Sequence, residues 1–160
     1  MKIPLLIVTV AGIAIGLAVP MVKRAAPPGV AAAAAPAEDP PVDTVLDRSA
    51  SGHFVAVADV NGEPTRFIVD TGADMVALTM EDAKRAHVAF DPSQFEVIGR
   101  GASGDVRGQE VHIDRIALDG KRATDVSGVV LENSDVSLLG HSYLRRISDV
   151  QIKGDKMILR

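Results

Sequence analysis

The sequence predicts an all-β domain, a closed barrel or a sandwich with one or two short helices, preceded by a single N-terminal transmembrane helix. Short apolar runs alternate with turn signals, of which Asn61-Gly62 and Asp119-Gly120 are the clearest. Such dipeptides between apolar runs are typical of β-hairpins, and closely spaced short strands are typical of barrels and sandwiches. One longer apolar run, Ile3 to Val22, is long enough to cross a bilayer as a helix.

The composition excludes several kinds of protein. A length of 160 residues fits one domain with additional segments, and a net charge of -4 without long Lys/Arg runs argues against a nucleic-acid partner. The chain has no cysteine, which excludes disulfides and thiolate metal sites. No two histidines have i, i+4 spacing, so we expect no metal site and no cofactor. The histidines are His53, His87, His112 and His141.

The N-terminal apolar run has two interpretations, a cleaved signal peptide and an uncleaved anchor. The run is long for the apolar region of a signal peptide, and no small-x-small cleavage site closes it neatly. We therefore favour an anchor over residues 1–24. An Ala/Pro-rich linker follows over residues 25–42, which we expect to be extended or disordered between the membrane and the domain.

A folded domain is predicted from residue 43 to residue 160. A hairpin around Asn61-Gly62 delivers Asp70 at the end of its return strand, and Thr79 can cap a short helix. A tail hairpin is predicted to turn at Lys153-Gly154-Asp155. The other predicted elements are strands over 75–78, 106–118, 125–131 and 136–139 and a helix over 80–86.

One stretch stands at the centre of this pattern. Three apolar residues, Phe67-Ile68-Val69, lead into Asp70-Thr71-Gly72, which predicts a buried strand ending in a tight turn. An isolated carboxylate beside an apolar wall is costly to ionise. Asp70 is therefore expected either to be paired or to be used in chemistry.

The sequence Asp70-Thr71-Gly72-Ala73 after an apolar strand resembles the active-site loop of the retroviral-type (retropepsin-like) aspartic proteases. A second signature is Leu138-Leu139-Gly140, which in that family packs behind the catalytic loop and precedes a short helix, here over 141–146. The resemblance covers residues 52–160 and is strongest to the bacterial, membrane-anchored members. It implies a closed β-barrel lobe and an aspartic endopeptidase.

The resemblance implies that Asp70 is catalytic. Peptide hydrolysis by carboxylates needs two acids that share one proton, one as the base for water and one to polarise the scissile carbonyl. The chain contains Asp-Thr-Gly once, and about 110 residues suit one lobe. The implied assembly is a homodimer in which the two Asp70 side chains face each other across a two-fold axis.

The neighbouring residues acquire roles from the same resemblance. The Thr71 hydroxyl would bond to the partner's loop, and Gly72 would allow close backbone approach. Ala73 and Asp74 would contact the backbone of an extended polypeptide substrate. Asp74 also has a simpler interpretation, a turn acid bonded to local backbone amides.

The glycine-rich segment from residue 95 to residue 108 is either a surface loop or the flap that closes over substrate. The resemblance favours the flap, with Ala102-Ser103-Gly104 as its tip, and glycines would permit its bending.

Two features leave the resemblance incomplete. His141 stands where the retroviral enzymes often have arginine, which leaves open a supporting ion pair with Asp74. The tail from Ile152 to Leu159 is expected to join the dimer interface, as chain termini do in that family, although its pattern favours a hairpin.

The location of the domain is also predicted from two opposing signals. The positive-inside rule compares Lys2 and the N-terminal amine before the apolar run with Lys23 and Arg24 after it. This comparison slightly favours a cytoplasmic domain. The resemblance and the signal-like position favour export. We expect a single-pass protein of the bacterial inner membrane with its catalytic domain in the periplasm.

A second function is considered beside the enzyme. A protease-like β-domain could bind peptides or a membrane partner without cutting, with Asp70 as a structural acid. We favour the endopeptidase.

Overall fold

The computed structural model describes residues 39–101 and 104–160. The predicted anchor over 1–24 and the linker up to residue 38 lie outside the described residues. Within the described ranges, no helix is long and apolar enough to cross a membrane.

The described chain is mostly strand with two short helices. The strands are β1 Thr44–Asp47, β2 Val55–Val60, β3 Glu63–Val69, β4 Val76–Thr79, β5 Glu96–Gly101, β6 Gly104–Leu118, β7 Lys121–Leu131, β8 Ser137–Leu139, β9 Val150–Lys153 and β10 Lys156–Leu159. The helices are α1 Met80–Arg85 and α2 His141–Leu144, and a 3₁₀ turn spans Pro92–Gln94. The predicted all-β class with one or two short helices is confirmed.

Six strands close into a barrel. The large sheet has the order β2-β3-β8-β4-β7-β6-β5, and β6 pairs again with β2 through Asp59 opposite Ala117 and Val60 opposite Ile116. Closure removes the free sheet edges that β2 and β6 would otherwise present. The closed barrel expected from the resemblance is therefore present.

Aliphatic residues fill the barrel, as the scarcity of aromatic residues predicts. Alternate residues of the strands point inward, and Val60, Ile113, Ile116 and Val126 are fully buried. Tyr143 of α2 is also fully buried, and its hydroxyl donates to the Lys121 carbonyl at 2.9 Å. Burial raises the pKa of this hydroxyl, which keeps it a hydrogen-bond donor.

The two predicted hairpin turns are confirmed. Asn61 and Gly62 have φ of 54° and 99°, and Asp119 and Gly120 have φ of 48° and 77°. Two consecutive residues with positive φ give the turn whose twist matches the flanking strands.

A separate three-stranded sheet, of order β1-β10-β9, joins the two ends of the domain. The predicted tail hairpin is confirmed as β9 and β10, but β1 has no clear signal in the sequence. Buried Lys121 donates to the Val42 carbonyl and to Thr44 Oγ1, and so ties the start of β1 to the barrel. Desolvation of the Lys121 ammonium lowers its pKa.

Helix α1 begins as the sequence predicts. The Thr79 side chain accepts a hydrogen bond from Asp82 N at 3.0 Å, and Thr79 N–H donates to buried Ser137 Oγ at 3.1 Å. The Thr79 side chain therefore fixes the start of the helix, and its backbone N–H fixes the end of β4.

Replacing Thr79 with alanine is expected to lower the free energy of unfolding by about 0.5–2 kcal/mol, because the Asp82 N–H loses its partner. Urea unfolding measures the change. Glu81→Ala, at an exposed position of the same helix, is the matched control and is expected to change stability little. Equal stability of Thr79→Ala and Glu81→Ala would contradict the role of the cap.

Candidate active site

The end of β3 places Asp70 beside the end of β8. These strands run parallel, with Val69 opposite Leu139, and Asp70 N–H donates to the Leu139 carbonyl at 3.1 Å. Leu139 is fully buried and Leu138 is half-buried. The two sequence signatures, which lie far apart in the chain, are thus neighbours in the fold.

The turn after β3 orients the Asp70 carboxylate. Gly72 N–H donates to Asp70 Oδ1 at 2.8 Å, and Ala73 N–H donates to the Asp70 carbonyl at 3.3 Å. A Cβ on Gly72 would lie 3.3 Å from the same carboxylate oxygen, a tight approach. Asp70 as a residue is only half-buried, so water can reach it.

Gly140 packs directly against the loop from Asp70 to Met75. A Cβ at this position would lie 2.2 Å from the Met75 carbonyl oxygen and 2.7 Å from that of Ala73. Both obstacles are backbone atoms, so no side-chain rotation could relieve the clash. The glycine of the Leu-Leu-Gly signature is required by this contact.

The first residues of α2 bond to the same loop. His141 N–H donates to the Ala73 carbonyl at 2.8 Å, and Ser142 N–H donates to the Asp74 carbonyl at 2.9 Å. Buried Ser142 Oγ then accepts a hydrogen bond from Val76 N–H at 2.8 Å. Sequence reasoning did not find this role of Ser142, because its partner lies 66 positions away in the chain.

His141 supports the loop through a carbonyl group. Its Nε2 lies 2.9 Å from the Thr71 carbonyl oxygen, to which it donates. The Asp74 carboxylate is exposed and makes no hydrogen bond or ion pair with another described residue. The ion pair that the sequence left open is therefore not formed within the described chain, and the hydrogen bonds to local amides that would make Asp74 a turn acid are not formed either.

A cleft of about 340 Å³ is lined in part by Ile68 of β3, and Asp70 is not among its lining residues. Val55 and Val136 supply further apolar lining, and His53, Arg66 and Asp135 add charged or polar groups. Sequence analysis did not assign His53 or Arg66 to a site, since neither lies in a recognisable motif.

The glycine-rich segment forms an antiparallel hairpin. Strands β5 and β6 pair as far as Gly101 opposite Gly104, and Ala102 and Ser103, between them, lie outside the described residues. At the base, Arg107 donates to the Phe95 carbonyl at 2.6 Å and to Glu132 Oε2 at 2.8 Å. The hairpin is thus fastened at the barrel end.

The site presents one oriented acid. Within the described residues, the Asp70 side chain has Gly72 N–H as its hydrogen-bond partner and no second carboxylate bonded to it. An oriented, water-accessible acid on a rigid loop can exchange a proton with water, but sharing that proton needs a second acid.

Gly140→Ala is expected to lower the free energy of unfolding by about 1–3 kcal/mol, because the added methyl group meets backbone atoms of the Asp70 loop. Thermal or urea unfolding measures the loss. Gly99→Ala is the matched control, since nothing lies within 4 Å of a Cβ there. If the two variants were equally stable, the close contact would be refuted.

Comparisons with known proteins agree with this geometry. Residues 56–146 match the family model described as gag-polyprotein putative aspartyl protease. An uncharacterised protein of Rickettsia prowazekii (strain Madrid E) is 33% identical over 118 residues, covering 73% of this chain and 51% of the relative. One from Sinorhizobium sp is 34% identical over 125 residues, covering 74% and 52%. The chain thus spans about half the length of these relatives.

Solved structures give the same result. The crystal structure of a retropepsin-like aspartic protease from Rickettsia conorii matches with a TM-score of 0.61 and 31% identity, covering 74% of this chain and 90% of that one. EIAV protease in complex with the inhibitor HBY-793 matches at 20% identity with a TM-score of 0.50, covering 61% and 89%, and supports the fold alone. By its sequence and its fold, the chain belongs to the retropepsin-type aspartic protease family.

Proposed function

We propose that this protein is an aspartic endopeptidase that hydrolyses peptide bonds of extended polypeptides, with an active site formed by Asp70 from each subunit of a homodimer. The observation that carries the proposal is the oriented carboxylate of half-buried Asp70 in a chain with a single Asp-Thr-Gly sequence. Family membership supports the same chemistry.

The proposed reaction uses the two acids as a pair. One Asp70 takes a proton from water as the water oxygen bonds to the scissile carbonyl carbon, and the other, protonated, donates its proton to the carbonyl oxygen. As the tetrahedral intermediate collapses and the C–N bond breaks, the Asp70 that took the water proton donates it to the leaving nitrogen, and the other Asp70 takes back a proton from a hydroxyl of the intermediate. Two like charges about 3 Å apart cannot both ionise easily, so the pair retains the one proton that this cycle needs.

The loop geometry supports the pairing of two subunits. Gly72 N–H holds Oδ1 of Asp70, while Thr71 is exposed at the same turn, where its hydroxyl can reach a partner's loop. The bonds from α2 to Ala73 and Asp74 fix the backbone from behind. Because the loop is already ordered, it loses less conformational entropy when the dimer forms and the substrate binds.

The proposed substrate is an extended peptide. We place one of its apolar side chains in the cleft that Val55, Ile68 and Val136 line together with His53 and Arg66. In the proposed complex, Ala73 and Asp74 contact the substrate backbone as an added strand would. The hairpin tip at Ala102, Ser103 and Gly104 closes over the substrate.

The proposal extends to the membrane. The apolar run from Ile3 to Val22 is long enough for a single span, and the Ala/Pro-rich linker would separate this anchor from the protease domain. We propose that the domain acts in the periplasm of a bacterium, held at the inner membrane.

Asp70→Asn is expected to lower the cleavage rate by at least about 10²-fold, because an amide can neither accept the water proton nor share a proton with its mate. The measurement is a cleavage profile of the full chain, solubilised in detergent, against a library of proteome-derived peptides. Asp114→Asn, at an exposed acid of β6 outside the cleft, is the matched control for loss of a charge.

Undiminished cleavage by Asp70→Asn would refute the mechanism. A full chain that stays monomeric at high concentration and cleaves nothing between acidic and neutral pH would favour the non-catalytic peptide-binding domain instead.

A further inference from the structure

We propose that His141 is a positioning residue of the active site, which acts on the Asp70 carboxylate through one peptide group of the loop. That peptide group joins Thr71 to Gly72. The inference rests on the function proposed above and adds to it a side chain that does not contact the reacting atoms. It is carried by two hydrogen bonds that meet on the same peptide group.

The two hydrogen bonds lie on opposite sides of this peptide group. Nε2 of His141 lies 2.9 Å from the Thr71 carbonyl oxygen. On the other side, Gly72 N–H donates to Asp70 Oδ1 at 2.8 Å. The C=O and the N–H belong to one planar unit, and in a trans peptide they point in opposite directions. The ring and the carboxylate are therefore linked by two consecutive hydrogen bonds.

The donor and acceptor roles follow from the carbonyl group. A carbonyl oxygen can only accept, so Nε2 carries the hydrogen, both in the neutral ring and in the protonated one. Consecutive hydrogen bonds polarise one another, so a donor on the C=O makes the N–H of the same peptide group a stronger donor. A stronger donor stabilises the ionised form of the carboxylate that accepts from it. His141 thus stabilises ionised Asp70 without contacting it.

The backbone of His141 determines where the ring can lie. Its N–H donates to the Ala73 carbonyl at 2.8 Å, and Gly140 before it packs against the loop with no room for a side chain. The ring then bonds to the same loop at Thr71, two residues before Ala73. A side chain whose backbone is already held in place loses less conformational entropy on making this bond. The bond in turn keeps the Thr71 carbonyl in one orientation.

The ionisable residues on the elements around the ring are Asp70 and Asp74 of the loop and Arg145 at the end of α2. Within the described residues, the Asp74 carboxylate forms no ion pair with the ring, and His141 bonds to the neutral Thr71 carbonyl instead. His141 is exposed, so water and salt screen the electrostatic part of its effect. We therefore expect its removal to lower the cleavage rate moderately and not to abolish cleavage.

Two amide side chains test this hydrogen bond at matched polarity. The amide nitrogen of glutamine is as many bonds from Cβ as Nε2 of histidine, whereas that of asparagine is one bond nearer. His141→Asn is expected to lose the bond and to lower kcat by about 3- to 10-fold, with KM changed by less than about twofold. His141→Gln is expected to keep kcat within about twofold of the unmodified chain. The measurement is steady-state cleavage, by the full chain in detergent, of a peptide whose cleavage depends on Asp70.

The pH profile separates this role from a purely structural one. Without the donor on the Thr71 carbonyl, ionised Asp70 is less stabilised, so the pair of acids holds its protons to higher pH. Both limbs of the bell-shaped profile of kcat/KM are expected to move to higher pH by about half a unit in His141→Asn, and to stay in place in His141→Gln. Partial unfolding would instead lower the height of the profile and leave its limbs where they are.

An NMR measurement on the folded chain tests the same link without an activity assay. The Gly72 amide proton is expected to move upfield in His141→Asn, because its hydrogen bond to Asp70 weakens, and to keep its chemical shift in His141→Gln. His112→Asn is the matched control, since His112 is also exposed and its ring bonds to exposed Asp125. This variant is expected to change neither kcat, nor the limbs of the pH profile, nor the Gly72 amide.

The possible results decide the role of His141. Unchanged kcat, unchanged limbs or an unchanged Gly72 amide in His141→Asn would overturn it and leave the proposed function standing, and so would a loss of kcat that His141→Gln does not restore. An unmodified chain that cleaves no peptide would remove the proposed function, and this role in it as well.

Discussion

The contact between Gly140 and the loop from Asp70 to Met75 is the constraint on which the rest of the site depends. Two backbone segments approach so closely that a single methyl group would not fit between them. The approach lets α2 begin against the loop, where His141 and Ser142 bond to its carbonyls and Ser142 Oγ holds Val76 N–H. A carboxylate on a loop held in this way keeps one orientation, which is a requirement for efficient proton transfer.

The barrel and the small sheet have different roles in the domain. Closure of the barrel by β2 and β6 fixes β3 and β8, which deliver Asp70 and Gly140 to the same place. The small sheet instead joins the two ends of the domain. In the proposed enzyme, a chain that carries one acid receives the second from another copy.

Local signals in the sequence predicted much of the fold. The Asn61-Gly62 and Asp119-Gly120 turns, the Thr79 cap and the tail hairpin depend on adjacent residues, and the structure confirms them. The strand β1 and the support from Ser142 depend on partners far along the chain, which no local pattern reveals. The interaction of His141 with the Thr71 carbonyl follows from the same long-range packing. The anchor, the domain boundaries and the roles of the site residues remain predictions.

The central claim, that one chain supplies half of a catalytic centre, is tested most directly by mixing subunits. Unmodified chain and Asp70→Asn chain are combined in varying ratio at constant total concentration, and peptide cleavage is measured after exchange. If each centre needs an Asp70 from both subunits, activity falls as the square of the unmodified fraction, and an equimolar mixture retains about one quarter. A linear fall, with about one half retained, would show that each chain acts alone and would contradict the account.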